Sequence, residues 1–218
     1  MEKILKLWKK YSFTLLIAFI ALGMLDLRFA VVAAICMIAP VIVSITRGRF
    51  WCGNLCPRGN FYYNVVAKFS NTRKPPKFFK SYYFRAVILT IMMTMFISGI
   101  SKNWGNLYGI GMVFYRLIVV TTIIGVALSL VYNHRTWCNF CPMGTMASVV
   151  SKFRKSKKVL HVSSSCVSCK ICEKKCPLGI VPYDYKGDIL SHPDCIQCGK
   201  CVTACPKKAI GYNKITLK

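Results

Sequence analysis

Acidic residues and histidines are scarce in this chain. Its 218 residues include six Asp and Glu and three His, against 31 Lys and Arg. None of these acids or histidines lies deep in an apolar run. Histidines within membrane helices bind haem, and acids within membrane helices carry protons in pumps. The sequence therefore argues against a membrane cytochrome b and against a proton pump.

Two cofactor fingerprints are also missing. The chain contains no C-x-x-C-H haem attachment sequence and no glycine-rich nucleotide-binding fingerprint. The first would attach a c-type haem, and the second would cradle the phosphates of a nucleotide. The sequence therefore supports neither a c-type cytochrome nor a nucleotide-dependent enzyme.

Long uncharged apolar runs are abundant instead. Hydrophobic residues make up 55% of the chain, and the mean hydropathy is +0.44. About 20 residues are needed for a helix to span the hydrocarbon of a bilayer. The polar break Asp26-Leu27-Arg28 separates the first two runs, which therefore form a helical hairpin. We predict an all-α transmembrane domain of four helices, or two hairpins, over the runs 11–25, 29–46, 86–101 and 112–133.

The basic residues are segregated along the chain. Of the 31 Lys and Arg, 28 lie before residue 11, between residues 47 and 85, or after residue 134. The positive-inside rule then places both termini in the cytoplasm and makes the chain a multi-pass protein of the inner membrane. The bilayer accounts for the charge, so we expect no nucleic-acid partner. Because the cytoplasm is reducing, its cysteines are expected to bind metal or do redox chemistry.

The strongest motif is a repeated cysteine run near the C-terminus. The spacing C-x2-C-x2-C-x3-C followed by Pro occurs twice, and it is typical of two-cluster bacterial ferredoxins, in which the fourth cysteine of each run binds the other cluster. Two complete copies make zinc improbable. We assign 4Fe-4S cluster I to Cys166, Cys169, Cys172 and Cys205, and cluster II to Cys195, Cys198, Cys201 and Cys176.

These patterns predict two domains. Residues 1–158 form the four-helix membrane domain, and residues 159–218 form a cytoplasmic α+β domain that is similar to bacterial two-4Fe-4S ferredoxins. That similarity implies a paired βαβ fold, with Ile180-Val181 and Ala209-Ile210 as strand residues.

The membrane domain contains a second, internal repeat. One copy has Arg49-Phe50-Trp51-Cys52 followed by Cys56-Pro57-Arg58-Gly59, and the other has Arg135-Thr136-Trp137-Cys138 followed by Cys141-Pro142-Met143-Gly144. Each copy follows two apolar runs, so the copies are parallel repeats about an axis along the membrane normal. Trp51 and Trp137 suit an interfacial belt. The four cysteines are thus predicted to lie together at the cytoplasmic surface.

Several chemistries fit Cys52, Cys56, Cys138 and Cys141. The two pairs could converge on one four-thiolate site that holds a third iron–sulfur cluster or another metal. Each pair could instead be an independent dithiol that cycles through a disulfide or binds copper. Inert packing is the remaining alternative.

Paired C-x3-C-P motifs beside membrane helices, followed by two ferredoxin runs, resemble the membrane polyferredoxin family. That family includes the quinol-oxidising ferredoxin subunit of periplasmic nitrate reductase systems and, more distantly, the nitrous-oxide reductase maturation regulator and the cupric reductase of cytochrome oxidase assembly. The resemblance implies an electron-transfer subunit, rather than a stand-alone enzyme, acting between the quinone pool or a cytoplasmic donor and a redox partner. A metal reductase or maturation protein, and a membrane anchor or sensor subunit, are the alternatives. One departure is Cys138-x2-Cys141, which is one residue shorter than the family motif.

Overall fold

Four helices in the computed structural model, which describes residues 2–153 and 158–214, are long and apolar enough to cross a membrane. They are Lys3–Leu25, Leu27–Arg47, Tyr82–Lys102 and Leu107–Val131. The prediction of four membrane helices is thus confirmed. Their bounds exceed the uncharged runs because flanking residues such as Trp8 and Tyr108 extend the helices. At most 28% of the most apolar 18-residue window of any span is buried, as expected of helices that face lipid.

The first hairpin contains three α-helices and a 3₁₀ segment. Its first span consists of α1 (Glu2–Tyr11) and α2 (Phe13–Leu25), and its second span begins with a 3₁₀ turn. Asp26 starts that turn, and its carboxylate accepts a hydrogen bond from the Arg28 N–H at 2.9 Å. The 3₁₀ turn spans Leu27–Val32, and α3 spans Ala33–Arg47.

Each hairpin is followed by short helices that carry a cysteine motif. After the first hairpin these are α4 Phe50–Asn54 and α5 Pro57–Asn64, followed by the 3₁₀ turns Val66–Lys68 and Lys77–Lys80. The second hairpin consists of α6 Tyr82–Lys102 and α7 Leu107–Val131, and the 3₁₀ helix Thr136–Asn139 and α8 Pro142–Lys152 follow it. Pro57 and Pro142 each occupy the first helical turn, where a missing N–H costs nothing.

The two copies pack into each other. Helix α8 of the second copy lies against α3 of the first, and α5 of the first copy reaches α7 of the second through a hydrogen bond from the Tyr62 hydroxyl to the Thr122 carbonyl. Gly111 on α7 faces the Leu27 carbonyl of the first hairpin, where a Cβ would overlap that oxygen. The copies are therefore one interlocked unit.

The C-terminal part is small and contains two strands. The strands β1 Lys158–Val162 and β2 Ile210–Lys214 pair antiparallel, with Val162 opposite Ile210. Two single-turn helices, α9 Ile171–Lys175 and α10 Lys200–Ala204, follow the cysteine loops. The buried side chains between strands and loops are Leu160, Val162, Leu178, Leu190, Ile196 and Ile210.

One strand prediction is wrong and another is wrong by one residue. Ile180 and Val181 lie outside any strand, and β2 begins at Ile210 rather than Ala209. The reason lies in the backbone donors. The N–H of Ile180 bonds to the sulfur of Cys176 at 3.4 Å, and the N–H of Ala209 bonds to that of Cys205 at 3.3 Å. A donor committed to a sulfur cannot join a sheet ladder. The domain boundary after residue 158 adjoins residues 154–157, which lie outside the described residues, and it stays a prediction.

Candidate metal centres

The eight C-terminal cysteines line two separate cavities. One cavity, of about 340 Å³ including its open side, is lined by Cys166, Cys169, Cys172 and Cys205. The other, of about 380 Å³, is lined by Cys176, Cys195, Cys198 and Cys201. Each cavity thus receives three cysteines from one run and the fourth from the other run. The two runs can therefore be loaded only as one folded unit.

The two cysteine loops share one backbone conformation. Ser168 and Lys170 in the first loop have φ of 52° and 62°, and Gln197 and Gly199 in the second have 51° and 83°. Left-handed backbone is unfavourable for residues other than glycine, and it persists where the surroundings hold it. Three non-glycine residues in this region at matching positions turn the cysteine side chains of each loop toward one cavity. Such a cradle fits a polynuclear cluster that bonds every cysteine.

The two membrane cysteine motifs differ in helix type but share one backbone hydrogen bond. Cys52 lies on the α-helix α4, whereas Cys138 lies on a 3₁₀ helix. In both copies the N–H of the second cysteine donates to a tryptophan carbonyl: Cys56 to Trp51 at 2.9 Å and Cys141 to Trp137 at 3.0 Å. A 3₁₀ helix needs fewer residues per turn than an α-helix. The missing residue in the second motif is therefore absorbed by tighter winding.

Two arginines cross between the copies. The Arg49 Nη2 atom donates to the Cys138 carbonyl oxygen at 2.7 Å, and the Arg135 Nη1 atom donates to the Cys52 carbonyl oxygen at 3.0 Å. Glycines make room for both. A Cβ at Gly59 would lie 2.7 Å from Arg135 Nη1, and a Cβ at Gly144 would lie 2.5 Å from Arg49 Nη2. Residues of one copy thus hold the cysteine turn of the other.

A third arginine lies beside Cys141. The Arg58 Nη1 atom donates to the Thr121 hydroxyl at 2.7 Å, and Nη2 lies 3.7 Å from the Cys141 sulfur. The guanidinium also covers the Trp137 ring at 5.2 Å. Trp137 is 4% exposed, so the prediction that it belongs to an interfacial belt is wrong. It forms one wall of the cysteine site.

Burial and charge set the ionisation of this region. Burial raises the pKa of the free Cys56 thiol to about 12, and it also raises the pKa of Cys52. Burial opposes the charge of Arg49, but the neighbouring Cys52 and Asp194 raise the Arg49 pKa above its usual value. Arg49, Arg58 and Arg135 therefore stay cationic. Arg49 pairs with Asp194, whereas Arg58 and Arg135 form no ion pair with a carboxylate among the described residues.

The second cysteine loop of the C-terminal part lies directly on α4. A Cβ at Gly53 would overlap the carbonyl oxygen of Ile196, which follows Cys195. Asn54 Nδ2 donates to the Gln197 carbonyl at 3.3 Å, and Gln197 Nε2 donates to the Arg47 carbonyl at 2.7 Å. The loop that lines the second cavity is therefore in contact with the helix that carries Cys52.

Asp194 fastens this contact. Its carboxylate accepts two bonds from Arg85, at 2.9 and 3.0 Å, one from Arg49 at 3.0 Å and one from Ser148 at 2.9 Å. Burial alone would raise the Asp194 pKa, but Arg49 and Arg85 hold it well below its usual range. Sequence reasoning missed Asp194 and the crossing arginines. The available signal was an acid beside a cluster cysteine in a chain with few acids.

Two family profiles match the chain. A family described as "4Fe-4S binding domain" matches residues 29–76 and 115–160, and one described as "4Fe-4S dicluster domain" matches residues 165–210. The first two segments each contain one repeat copy with its two membrane cysteines, and the third contains all eight C-terminal cysteines. The chain belongs to the polyferredoxin family. The family expectation from the cysteine motifs is confirmed, and this polyferredoxin is a multi-pass membrane protein with 4Fe-4S cluster-binding domains.

Known relatives cover most of the chain. The polyferredoxin is 26% identical to the uncharacterised protein MJ0749 of Methanocaldococcus jannaschii, over 82% of this chain and 70% of the relative. It is 24% identical to YccM of Escherichia coli, whose name proposes a role in electron transport, over 84% of this chain and 59% of YccM. It is 21% identical to the ferredoxin-type protein NapH of Haemophilus influenzae, over 78% of this chain and 64% of NapH. No solved structure matches it significantly.

Proposed function

We propose that this polyferredoxin is an electron-transfer subunit that relays electrons between the quinone pool, or a cytoplasmic donor, and a redox partner protein. The contact between Ile196 and α4 carries this proposal, because it places a residue that lines the second cavity directly against the helix of Cys52. The names of YccM and NapH agree with such a role. The C-terminal part would face the cytoplasm, as the distribution of basic residues indicates.

The lining of the two cavities supports the following ligand sets. Cluster I would be held by Cys166, Cys169, Cys172 and Cys205, and cluster II by Cys176, Cys195, Cys198 and Cys201. When bound, 4Fe-4S clusters supply one-electron redox chemistry. The protein contributes the loops that bring the two cavities together, the apolar packing that limits water access, and the Asp194 clamp that keeps the second cavity on the membrane half.

The membrane cysteines fit a third 4Fe-4S cluster. The Arg135 Nη1 atom lies 3.0 Å from the Cys52 carbonyl oxygen and 3.8 Å from the Cys138 sulfur, so one guanidinium bridges the two pairs. Four thiolates around a cluster carry net negative charge, which would balance the nearby Arg58 and Arg135 guanidinium groups. Cys52, Cys56, Cys138 and Cys141 would be its ligands. Quinone would approach from the membrane beside the same four residues.

Buried N–H groups that lack a hydrogen-bond acceptor also support a cluster at the membrane cysteines. The indole N–H groups of Trp51 and Trp137, together with Arg49 Nε, are buried without a hydrogen-bond acceptor among the described residues. The two tryptophans occupy equivalent positions in the two copies. An unpaired buried donor costs about 1–3 kcal/mol, so two at matched positions favour an acceptor that belongs to the site. Cluster or thiolate sulfurs are acceptors of this kind.

Single-metal chemistry has less support. Within residues 2–153 and 158–214, no three His, Cys, Asp or Glu side chains are grouped closely enough for one metal ion. In a cubane each cysteine binds a different iron, so its ligands lie farther apart than those of one ion. The arrangement therefore gives little support to a single metal ion held by three or four of these side chains.

Anaerobic reduction by a quinol analogue tests the relay. Purified protein in nanodiscs should lose its iron–sulfur absorbance when the quinol is added. A variant with Ser at positions 52, 56, 138 and 141 should keep the C-terminal iron–sulfur spectrum and respond to dithionite, yet stay oxidised with quinol. No reduction of the wild-type protein by quinol would contradict the proposal.

A further inference from the structure

The two cysteine loops have the same backbone conformation but differ in solvent exposure. Val167 in the first loop is 60% exposed, whereas Ile196, at the equivalent position of the second loop, is 3% exposed. The next residues differ in the same way, because Ser168 is exposed and Gln197 is buried. One of two equivalent faces is thus covered, and the other is open.

The membrane half covers the second loop. Helix α4 lies against Ile196 and Gln197, and Asp194, just before that loop, binds Arg49 and Arg85. No hydrogen bond or ion pair joins residues 165–172 of the first loop to the membrane half in the described part of the chain. Just after this loop in the sequence, Glu173 forms an ion pair with Lys74 of the membrane half at 2.9 Å.

The open face has an apolar centre and a basic rim. We call it the Val167 face, and it consists of the exposed residues Val167, Lys170, Ile171, Lys174, Lys175, Lys207 and Lys208. Val167, Ile171 and Lys207 also line the first cavity. The acid on α9, Glu173, is already paired with Lys74 and accepts a hydrogen bond from the Tyr183 hydroxyl. The rim is therefore strongly positive.

We propose that the Val167 face is the docking site for a small soluble redox protein whose cofactor is surrounded by acidic residues. The inference rests on the proposed relay function. One electron leaves the reduced partner, which becomes oxidised, and enters the site held by Cys166, Cys169, Cys172 and Cys205; no bond forms or breaks. The electron could then pass to the site of Cys176, Cys195, Cys198 and Cys201, whose loop contacts α4.

The shape and charge of the face favour a protein over lipid headgroups. An apolar centre with a charged rim is the usual anatomy of a transient protein interface. The equivalent face of the second loop is already buried by protein, through backbone and side-chain contacts. Opposite charges on the rims would steer the partner and raise the association rate constant.

Charge reversal in neutral-lipid nanodiscs tests the docking face. The variant K170E/K207E changes two rim lysines, and K68E/K77E makes the same charge change at two exposed lysines outside the face. Photoreduced acidic flavodoxin is the probe, and stopped-flow absorbance gives the rate constant at low and high salt. We expect K170E/K207E to react about tenfold or more slowly at low salt, with the difference shrinking at high salt, while K68E/K77E stays within about twofold of wild type.

Equal slowing of both variants, or no slowing of K170E/K207E, would overturn the proposal. So would an effect that appears only in nanodiscs with anionic lipid, since the lysines would then belong to headgroups. Dithionite reduction and the iron–sulfur spectrum check that each variant is loaded. If quinol fails to reduce even the wild type, the relay function fails, but the flavodoxin rate constants still decide the docking face.

Discussion

The guanidinium of Arg49 donates to the backbone carbonyl of Cys138 at 2.7 Å, which joins the first repeat copy to the cysteine turn of the second. Arg135 makes the reciprocal bond to Cys52 at 3.0 Å. Neither cysteine turn is therefore held by its own copy alone. The exchange couples the geometry of the four-cysteine site to the correct pairing of the two hairpins.

Replacing Arg135 by Met tests this exchange. The variant leaves the Cys52 carbonyl without its charged donor, and hydrogen bonds to charged groups contribute about 1.5–3 kcal/mol. We expect the free energy of unfolding in detergent, followed by loss of iron–sulfur absorbance, to fall by about that amount. Arg73→Met changes an exposed arginine and is the matched control. An equal effect of both substitutions would count against the exchange.

The contact between the two halves depends on a glycine. In Gly53→Ala the new methyl group overlaps the Ile196 carbonyl, so the second loop must move away from α4. We expect normal iron content in the C-terminal part but at least about tenfold slower reduction by quinol. The rate of electron transfer depends strongly on the distance and orientation between the two redox centres. Gly211→Ala, where no atom lies within 4 Å of the new Cβ, is the control. Unchanged quinol kinetics in Gly53→Ala would show that this contact is not on the electron route.

Asp194 should hold the same contact by charge. Asp194→Asn keeps the size of the side chain but leaves Arg49 and Arg85 without their carboxylate. Breaking a buried ion pair costs about 3–5 kcal/mol. We predict earlier thermal unfolding and faster proteolysis between the halves at neutral pH. Asp188→Asn, at an exposed carboxylate, should match wild type. Wild-type stability in Asp194→Asn would show that Asp194 does not hold the two halves together.

Arg58 is predicted to set the reduction potential of the membrane site. Removing its charge beside Cys141 in Arg58→Met should lower that potential by on the order of 60 mV, which is a tenfold change in equilibrium constant for a one-electron couple. Arg58→Lys keeps the charge and should largely restore the potential. Redox titration monitored by electron paramagnetic resonance separates this signal from those of the C-terminal clusters. A shift in the C-terminal signals instead would place the effect elsewhere.

Local patterns in the sequence predicted the parts of this structure that depend on local physics. The length of each apolar run is enough to indicate a membrane helix, and the spacing of eight cysteines is enough to indicate the two cysteine sets that line the cavities. The internal repeat also indicated that four more cysteines share one surface. Each of these inferences needs only a short stretch of chain.

Features that depend on how distant segments meet were not predictable. The crossing of Arg49 and Arg135, the burial of Trp137 and the clamp at Asp194 all arise where one copy or one half packs on another. The strand prediction at Ile180 failed because its N–H bonds to the Cys176 sulfur, a tertiary effect that strand propensity does not contain.

The anaerobic iron and acid-labile sulfide content per chain shows whether the membrane cysteines hold a third cluster. Three 4Fe-4S clusters give about twelve irons per chain, and two give about eight. We predict about twelve for the wild-type protein and about eight for the variant with Ser at positions 52, 56, 138 and 141. About eight irons in both proteins would contradict the third cluster.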